Sequence, residues 1–331
     1  MPFTNRISSQ VLIRPLPRST SGFTGAPGQA LFGTNVGAGT FSWTAPAGVT
    51  YVHVVAVGGG ANGPKSYNSS ASGGSGGGLG WKNNIPVTPG ATYTVQVGNY
   101  GSNHNYGSIG LLGGNSFFIS LATVAGYGGG HWSYGGTNGP NQNGYGGGWV
   151  GDGGGAGGNT NSSYQAGSGA GGYTGNGANR GSNLTNGGGG GGAGKEYSST
   201  YGYSSGGGVG LLGKASYNAY SGMTPWEPTN GSYGCGGAGS WNGPTSTVQD
   251  FNGVNGNAAI GQGRRGMYGE NPWSSTGEDG NGGLKGGDYG GGGGGQGDSW
   301  PGSGGQGGQG GVRIIWAESG RAFPDTNTMN V

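Results

Sequence analysis

Apolar and polar positions alternate in only a few stretches of this chain, and those stretches lie toward its two ends. Thr40-Phe41-Ser42-Trp43-Thr44-Ala45-Pro46 alternates with Phe41 and Trp43 on one face, which predicts a half-buried strand. Pro46 to Gly48 then predicts a turn. Val49 to Val57 reads VTYVHVVAV. Both of its faces are mostly apolar, so it predicts a strand buried between two layers, ending at Gly58-Gly59-Gly60. Weaker strands are predicted at Asn84 to Val87 and, across a Thr88-Pro89-Gly90 turn, at Thr92 to Val97, where Tyr93, Val95 and Val97 share a face. Ser116 to Leu121 and Thr123 to Ala125 follow. After a long glycine-rich stretch, Gly311 to Ala317 predicts a second strong strand. An apolar strand this isolated needs a partner, and the natural one is Val49 to Val57, so the chain is expected to close on itself. No window of about 11 residues carries a 3.6-residue period free of Gly or Pro, which predicts essentially no α-helix.

Composition changes the picture of the middle. Of 331 residues, 95 are glycine. Collagen needs Gly at every third position with abundant proline. Here glycine comes in blocks such as Gly187 to Gly192 and Gly290 to Gly295, and there are only 15 prolines. A flexible linker would be poor in aromatic residues, whereas this chain has 9 Trp, 18 Tyr and 8 Phe. Each ordered glycine costs about 0.5–1 kcal/mol more than alanine, and glycine has no side chain to bury in return. The compensation must come from the backbone: chains without Cβ can pack closely as extended helices of three residues per turn and exchange N–H···O bonds. The expected fold is therefore all-β and irregular. The N-terminal strands and the C-terminal strand form a small β-sandwich, and a long insertion is stacked in polyglycine-II-like segments. The corresponding organisation is an extended arm (1–38), a β-rich part (39–126), a glycine-rich region with aromatics (127–309) and a closing strand with tail (310–331).

Charge and cysteine content narrow the partners. The formal net charge is +2 and charged residues make up 7%, so nothing favours nucleic acid. Cys235 is the sole cysteine, which excludes an internal disulfide and a Cys-based zinc site. No apolar run near the N-terminus suits a signal peptide, and none is long enough for a membrane helix, so membrane insertion is not expected. Release of particles by lysis would place such a protein outside a cell.

The run GTFSWTAPAGVTYVHVVAVGGGANG, Gly39 to Gly63, resembles the opening of the glycine-rich domain of phage tail fibres and related surface proteins. In that pattern a Phe/Trp strand and a Pro turn precede a Val-rich strand ending in Gly-Gly-Gly. PGATYTVQVG, Pro89 to Gly98, fits the next element. GGVRIIWAESGRAFPDTNT, Gly310 to Thr328, is similar to the closing strand and Arg-x-Phe-Pro tail of fibre-like proteins in phages of aquatic cyanobacteria. The resemblance covers the chain from residue 39 onward, with the glycine-rich middle matching by composition alone. It implies a virion structural or adhesin role and names neither receptor nor catalytic residues.

The chemistry of the remaining motifs is sparse. Gly208 to Lys214 spells G-x-x-x-x-G-K, but Ala215 stands where a Mg²⁺-binding hydroxyl belongs, and prolines and glycine exclude a following helix. His53, His104 and His131 lack metal-ligand spacing, and His53 reads as a hydrogen-bonded core residue. Ile109 to Gly113 echoes Val209 to Gly213, each Leu-Leu pair reading as a hydrophobic plug at the base of a glycine-rich arm. No catalytic, cofactor-binding or metal-binding residues are expected. The aromatics carry the functional signal. Tyr and Trp give large contact area at small entropic cost, with Asn, Ser and Gly supplying adaptable hydrogen bonds. Candidate receptor contacts are Trp132, Tyr134, Tyr145, Trp149, Tyr201, Tyr203, Trp226 and Trp273, the last two flanked by prolines. The alternative role for any such ring is mortar between glycine layers.

The expectation is a non-enzymatic virion protein, a tail-fibre component or receptor-binding adhesin. Its partners would be a host surface glycan or outer-membrane protein, other virion proteins and, by analogy with fibres, two further copies in a trimer. A secreted or surface structural protein, including an ice-binding bundle, is the first alternative. A polysaccharide-degrading tailspike, which needs two facing carboxyl groups, is the second.

Overall fold

The computed structural model describes residues 27–33, 36–63, 73–101, 112–130, 144–160, 167–179, 206–211, 213, 289–292, 305–316 and 322–324. Among these residues there is no helix, and every strand pairing is antiparallel. In chain order the strands are β1 (Gly28–Phe32), β2 (Gly39–Thr44), β3 (Tyr51–Val57), β4 (Leu79–Pro86), β5 (Thr92–Val97), β6 (Ser116–Phe118), β7 (Val124–Gly126), β8 (Trp149–Val150), β9 (Gly153–Gly155) and β10 (Gly311–Trp316). They form two five-stranded sheets, ordered β1-β10-β3-β4-β9 and β2-β5-β6-β7-β8.

The closing strand lies where its apolarity requires. β10 sits between β1 and β3, with Gly311 opposite Val57 and Ile315 opposite His53. Strand β3 is buried on both faces, as its two mostly apolar faces predict. Val52, Val54 and Ala56 join Val312, Ile314 and Ile85 in a core that also takes Trp43, Val95, Phe118 and Val124 from the second sheet. Trp43 is its hub, 5.8 Å from Phe118 at 72° and 5.5 Å from Trp316 between ring centroids. The opposite face of the first sheet presents Val55, Val57, Leu79 and Ile315 to a second core, filled by Tyr173, Val209, Leu211, Tyr289 and Phe323.

Some elements differ from the sequence pattern. β4 begins at Leu79 rather than Asn84, because Leu79 and Trp81 pair with Val57 and Val55 across a glycine that hides the alternation. An irregularity between Val52 and Val54 places Asn83 and Asn84 opposite His53, and Asn84 takes φ 54°, a conformation asparagine tolerates. β1 lies within the stretch read as an arm and forms the edge beside β10. Of the two Leu-Leu pairs, Leu211 is fully buried beside Val209 and Leu112 is 40% exposed, while Leu111 and Leu212 lie outside the described residues.

Beyond one end of the sheets the same chain runs on in segments made mostly of glycine. Residues 58–63 continue β3, 98–101 continue β5, 127–130 continue β7 and 156–160 continue β9, while 73–78, 112–115, 144–148 and 305–310 lead into β4, β6, β8 and β10. Because neighbouring strands are antiparallel, all these segments emerge at one end. Their backbone bonds repeat every third residue. Gly58 and Ala61 donate to Gly78 and Ser75, Gly60 and Gly63 donate to Gly308 and Gly305, and Gly59 donates to Gly114. Ser75 and Gly78 likewise donate to Gly130 and Tyr127, while Gly76 and Gly77 donate to Gly158 and Gly290. Each segment thus bonds neighbours in three directions, with the three-residue period expected of polyglycine-II packing. Several of these bonds cross from one sheet's continuation to the other's, such as Gly59 to Gly114, Gly310 to Gly98 and Gly147 to Gly76. A methyl group on Gly76, Gly128 or Gly157 would fall inside a neighbouring carbonyl. Glycine is therefore required there for close approach.

Candidate binding face

The lattice divides the aromatic residues into two kinds. Tyr173 and Tyr289 are fully buried. The Tyr173 hydroxyl donates to the Gly210 carbonyl at 2.9 Å and accepts from the Gly213 N–H at 3.1 Å. Burial pushes this phenol well above the usual tyrosine range, against the opposing pull of the Gly213 bond and the Arg313 charge. Its ring stacks on Phe323 at 5.9 Å, and Asn83 clamps the Phe323 peptide, donating from Nδ2 to its carbonyl at 2.7 Å and accepting its N–H at 3.0 Å. Arg313, also buried, donates to Gln29 Oε1 and to the Leu211 carbonyl. These groups join the glycine layers to the first sheet.

The second kind is displayed. Among the sequence-predicted contacts, Tyr145 is 58% exposed and Trp149 37% exposed. Trp132, Tyr134, Tyr201, Tyr203, Trp226 and Trp273 lie outside the described residues. Tyr145 and Trp149 belong to one lattice segment and the strand it feeds, and that segment is pinned on several sides. The Tyr145 carbonyl accepts from Gly130, the Gly148 carbonyl from Tyr127 and the Gly147 carbonyl from Gly157, while the Gly147 N–H donates to Gly76. Glycine neighbours leave room for the rings. Tyr127, half-buried, lays its ring alongside Gly148, and the Trp149 ring lies against Gly154 of β9. Tyr127, Tyr145 and Trp149 therefore come from two adjoining segments.

Asparagines complete this face. Asn159 Oδ1 accepts the Gly146 N–H at 2.7 Å, Asn115 Oδ1 that of Gly128 at 2.9 Å, Asn176 Oδ1 that of Ala156 at 2.9 Å and Asn179 Oδ1 that of Asn159 at 2.8 Å. All four are exposed. At each of these positions a side-chain carbonyl takes the place of a main-chain one in accepting a lattice N–H. Asn176 and Asn179 serve Ala156 and Asn159, three residues apart on both sides, so the lattice period is written into their spacing. Sequence reading missed these residues. The signal available was the Asn-x-x-Asn spacing at 176–179, which has meaning only once the lattice period is known.

Among the described residues this face carries little charge. Residues 127–130, 144–150 and 156–160 contain no ionisable side chain other than tyrosine. Asp152, in the turn between β8 and β9, accepts the Asn83 N–H at 2.9 Å. Among the described residues no group of three or more His, Cys, Asp or Glu is placed to hold a metal ion. The arrangement suits contact and hydrogen bonding with an external surface. No protein-family model matches the chain, and a search of curated proteins finds no match.

Proposed function

We propose that this chain is a non-enzymatic virion protein, a tail-fibre component or receptor-binding adhesin that contacts the host cell surface. The observation that carries the reading is the display of Tyr145 and Trp149 on a hydrogen-bonded, glycine-rich scaffold. A rigid scaffold lowers the entropic cost of binding, because the rings are placed before contact is made. The motifs at Gly39 to Gly63 and Gly310 to Thr328, which resemble those of phage fibre proteins, supply the particle context. Other virion proteins and further copies of the chain are the partners this role requires. Mass spectrometry of purified virions tests it: the chain is expected in the particles, and its absence would exclude the reading.

An ice-binding surface draws on a separate observation. Thr40, Ser42 and Thr44 of β2 stand opposite Gln96, Thr94 and Thr92 of β5, and of these only Gln96 is not exposed. Thr40 bonds Gln96 at 2.6 Å and Thr44 bonds Thr92 at 3.0 Å, so these groups already satisfy one another in part. A thermal-hysteresis assay is expected to be null; a positive result would favour this second role.

A further inference from the structure

We infer that β2 is an association edge, at which a second copy of this chain pairs antiparallel about a two-fold axis through Ser42. Among the described residues the two sheets end in four edge strands, β1 and β9 in one and β2 and β8 in the other. β8 and β9 have two and three residues and flank a turn that holds Asp152. Short strands and charge are ordinary protection of a sheet edge against a further strand. β2 has six residues, the longest of the four, and Gly39 to Thr44 contains no charge and no proline. It pairs with β5 in unbroken register, so no bulge turns it away. The direction of its main-chain groups follows from two bonds. The Ala45 N–H donates to the Ala91 carbonyl at 2.9 Å, so Trp43 and Phe41, in step with Ala45, turn their N–H and C=O groups to β5. The Ile119 N–H donates to the Thr94 carbonyl at 2.8 Å, so Thr94 bonds toward β6 and not toward Ser42. Thr40, Ser42 and Thr44 therefore aim their main-chain groups away from β5, where the sheet has no further strand among the described residues. Their side chains are exposed.

What fits this edge is the edge itself. Turned end for end about Ser42, a second β2 sets Thr40 against Thr44, Ser42 against Ser42 and Thr44 against Thr40. Every outward N–H then meets an outward carbonyl, with none left over. Between those pairs Phe41, half-buried against the core, comes opposite the second copy's Trp43 on the inner face, an aromatic cross-strand pair. A head-to-tail contact would need another edge of matching length in the same sheet, and β8 is too short to supply it. A self-matching edge instead closes as a dimer. This pairing stands apart from the candidate binding face and does not depend on what that face contacts.

Sedimentation equilibrium of the full chain across micromolar concentrations tests the pairing, and twice the chain mass is expected. A monomer would overturn it, and so would a trimer, the state expected by analogy with fibres. Ser42→Lys sets like charges against each other across the axis on an exposed face, and should weaken the dimer about tenfold or more. Added salt should return part of that loss by screening. Ser42→Glu should weaken the dimer likewise, and an equal mixture of the two variants should recover it, because each lysine then meets a glutamate. Unaltered association of both variants, or no recovery on mixing, would overturn the axis at Ser42.

Discussion

The same chain crosses from one kind of packing to another between Val57 and Gly58. Before that boundary, β3 and its neighbours are held apart from the second sheet by side chains such as Val54, Trp43 and Phe118. Stacked sheets of this kind sit about 10 Å apart, and the filling is apolar and non-directional. After the boundary glycine predominates, the continuations of the two sheets close up, and Gly59 donates directly to Gly114 across what had been the core. Burial of area holds the first region. Directional bonds in three directions, each worth only about 1 kcal/mol net, hold the second, and their strength lies in number and in mutual fit. A residue is therefore indispensable for opposite reasons in the two regions: for its bulk in the sheets and for its lack of bulk in the lattice.

The sharpest test of the contrast begins with bulk. Phe118→Ala empties the centre of the core beneath Trp43 and should cost about 3–5 kcal/mol in denaturant unfolding. Gly76→Ala adds a single methyl group and should cost about 3 kcal/mol, because the new atom meets the Gly169 carbonyl and that segment is itself pinned. The sign is decisive. In a glycine stretch flexible in both states the same change would be nearly neutral, and at an ordered site with room for the methyl group it would stabilise by about 0.4–1 kcal/mol, through loss of unfolded-state freedom. A neutral or stabilising Gly76→Ala would therefore break the lattice description. Gly90→Ala is the control. Gly90 has φ 78° and open space around it, so alanine there should cost only the left-handed conformation, about 1–2 kcal/mol.

Asparagine capping sharpens the comparison at a smaller scale. Asn159→Ala removes the acceptor for the Gly146 N–H at a position water can reach. The cost should be about 1 kcal/mol or less, with faster amide exchange at Gly146 and little change at Gly58 to Gly63, deeper in the lattice. Equal acceleration throughout would mean that the lattice opens as one unit and is not edged by these side chains.

Most of the sheet architecture was legible before the fold was known, and the reason is physical. An apolar run buried on both faces, such as Val49 to Val57, needs cover on each side, and an isolated apolar run such as 311–316 needs a partner. Both demands lead to the β3–β10 pair. The three-residue lattice was legible in kind, from the cost of ordering glycine, but its connections were not. Glycine carries no pattern, so nothing in GGGANG announces that Gly59 meets Gly114 and Gly60 meets Gly308. Strands that contribute mainly glycine, such as β9, stayed hidden for the same reason. At the candidate face, Tyr145 and Trp149 were visible as aromatic residues among glycines. Sequence could not separate them from Tyr173 and Tyr289, because display and mortar use the same residue type. Asn159 was invisible because its role is to replace a neighbour's backbone.

The smallest effect separates the regions by pH. Among the described residues the lattice segments hold no His, Asp, Glu, Lys or Arg, whereas β3 carries the buried His53. Its ring is 7% exposed and edge-on to Tyr51. Asn83 Nδ2 is committed to the Phe323 carbonyl, and Asn83 Oδ1 lies 3.0 Å from His53 Nδ1, which the Asn84 N–H also approaches at 3.4 Å. Burial lowers the imidazole pKa below 6.5, and the Asn83 bond pulls weakly the other way. The folded ring thus resists a proton that the unfolded chain accepts. Stability from this residue is complete above pH 6.5 and falls as pH drops through that value toward the lower folded pKa, after which it levels off. His53→Gln abolishes this slope. In urea unfolding from pH 7.5 to 5, the difference between the two proteins should narrow as pH falls, since carboxylate titrations are common to both. A difference that stays constant with pH would show that the His53 pocket accepts the charged ring as readily as water does.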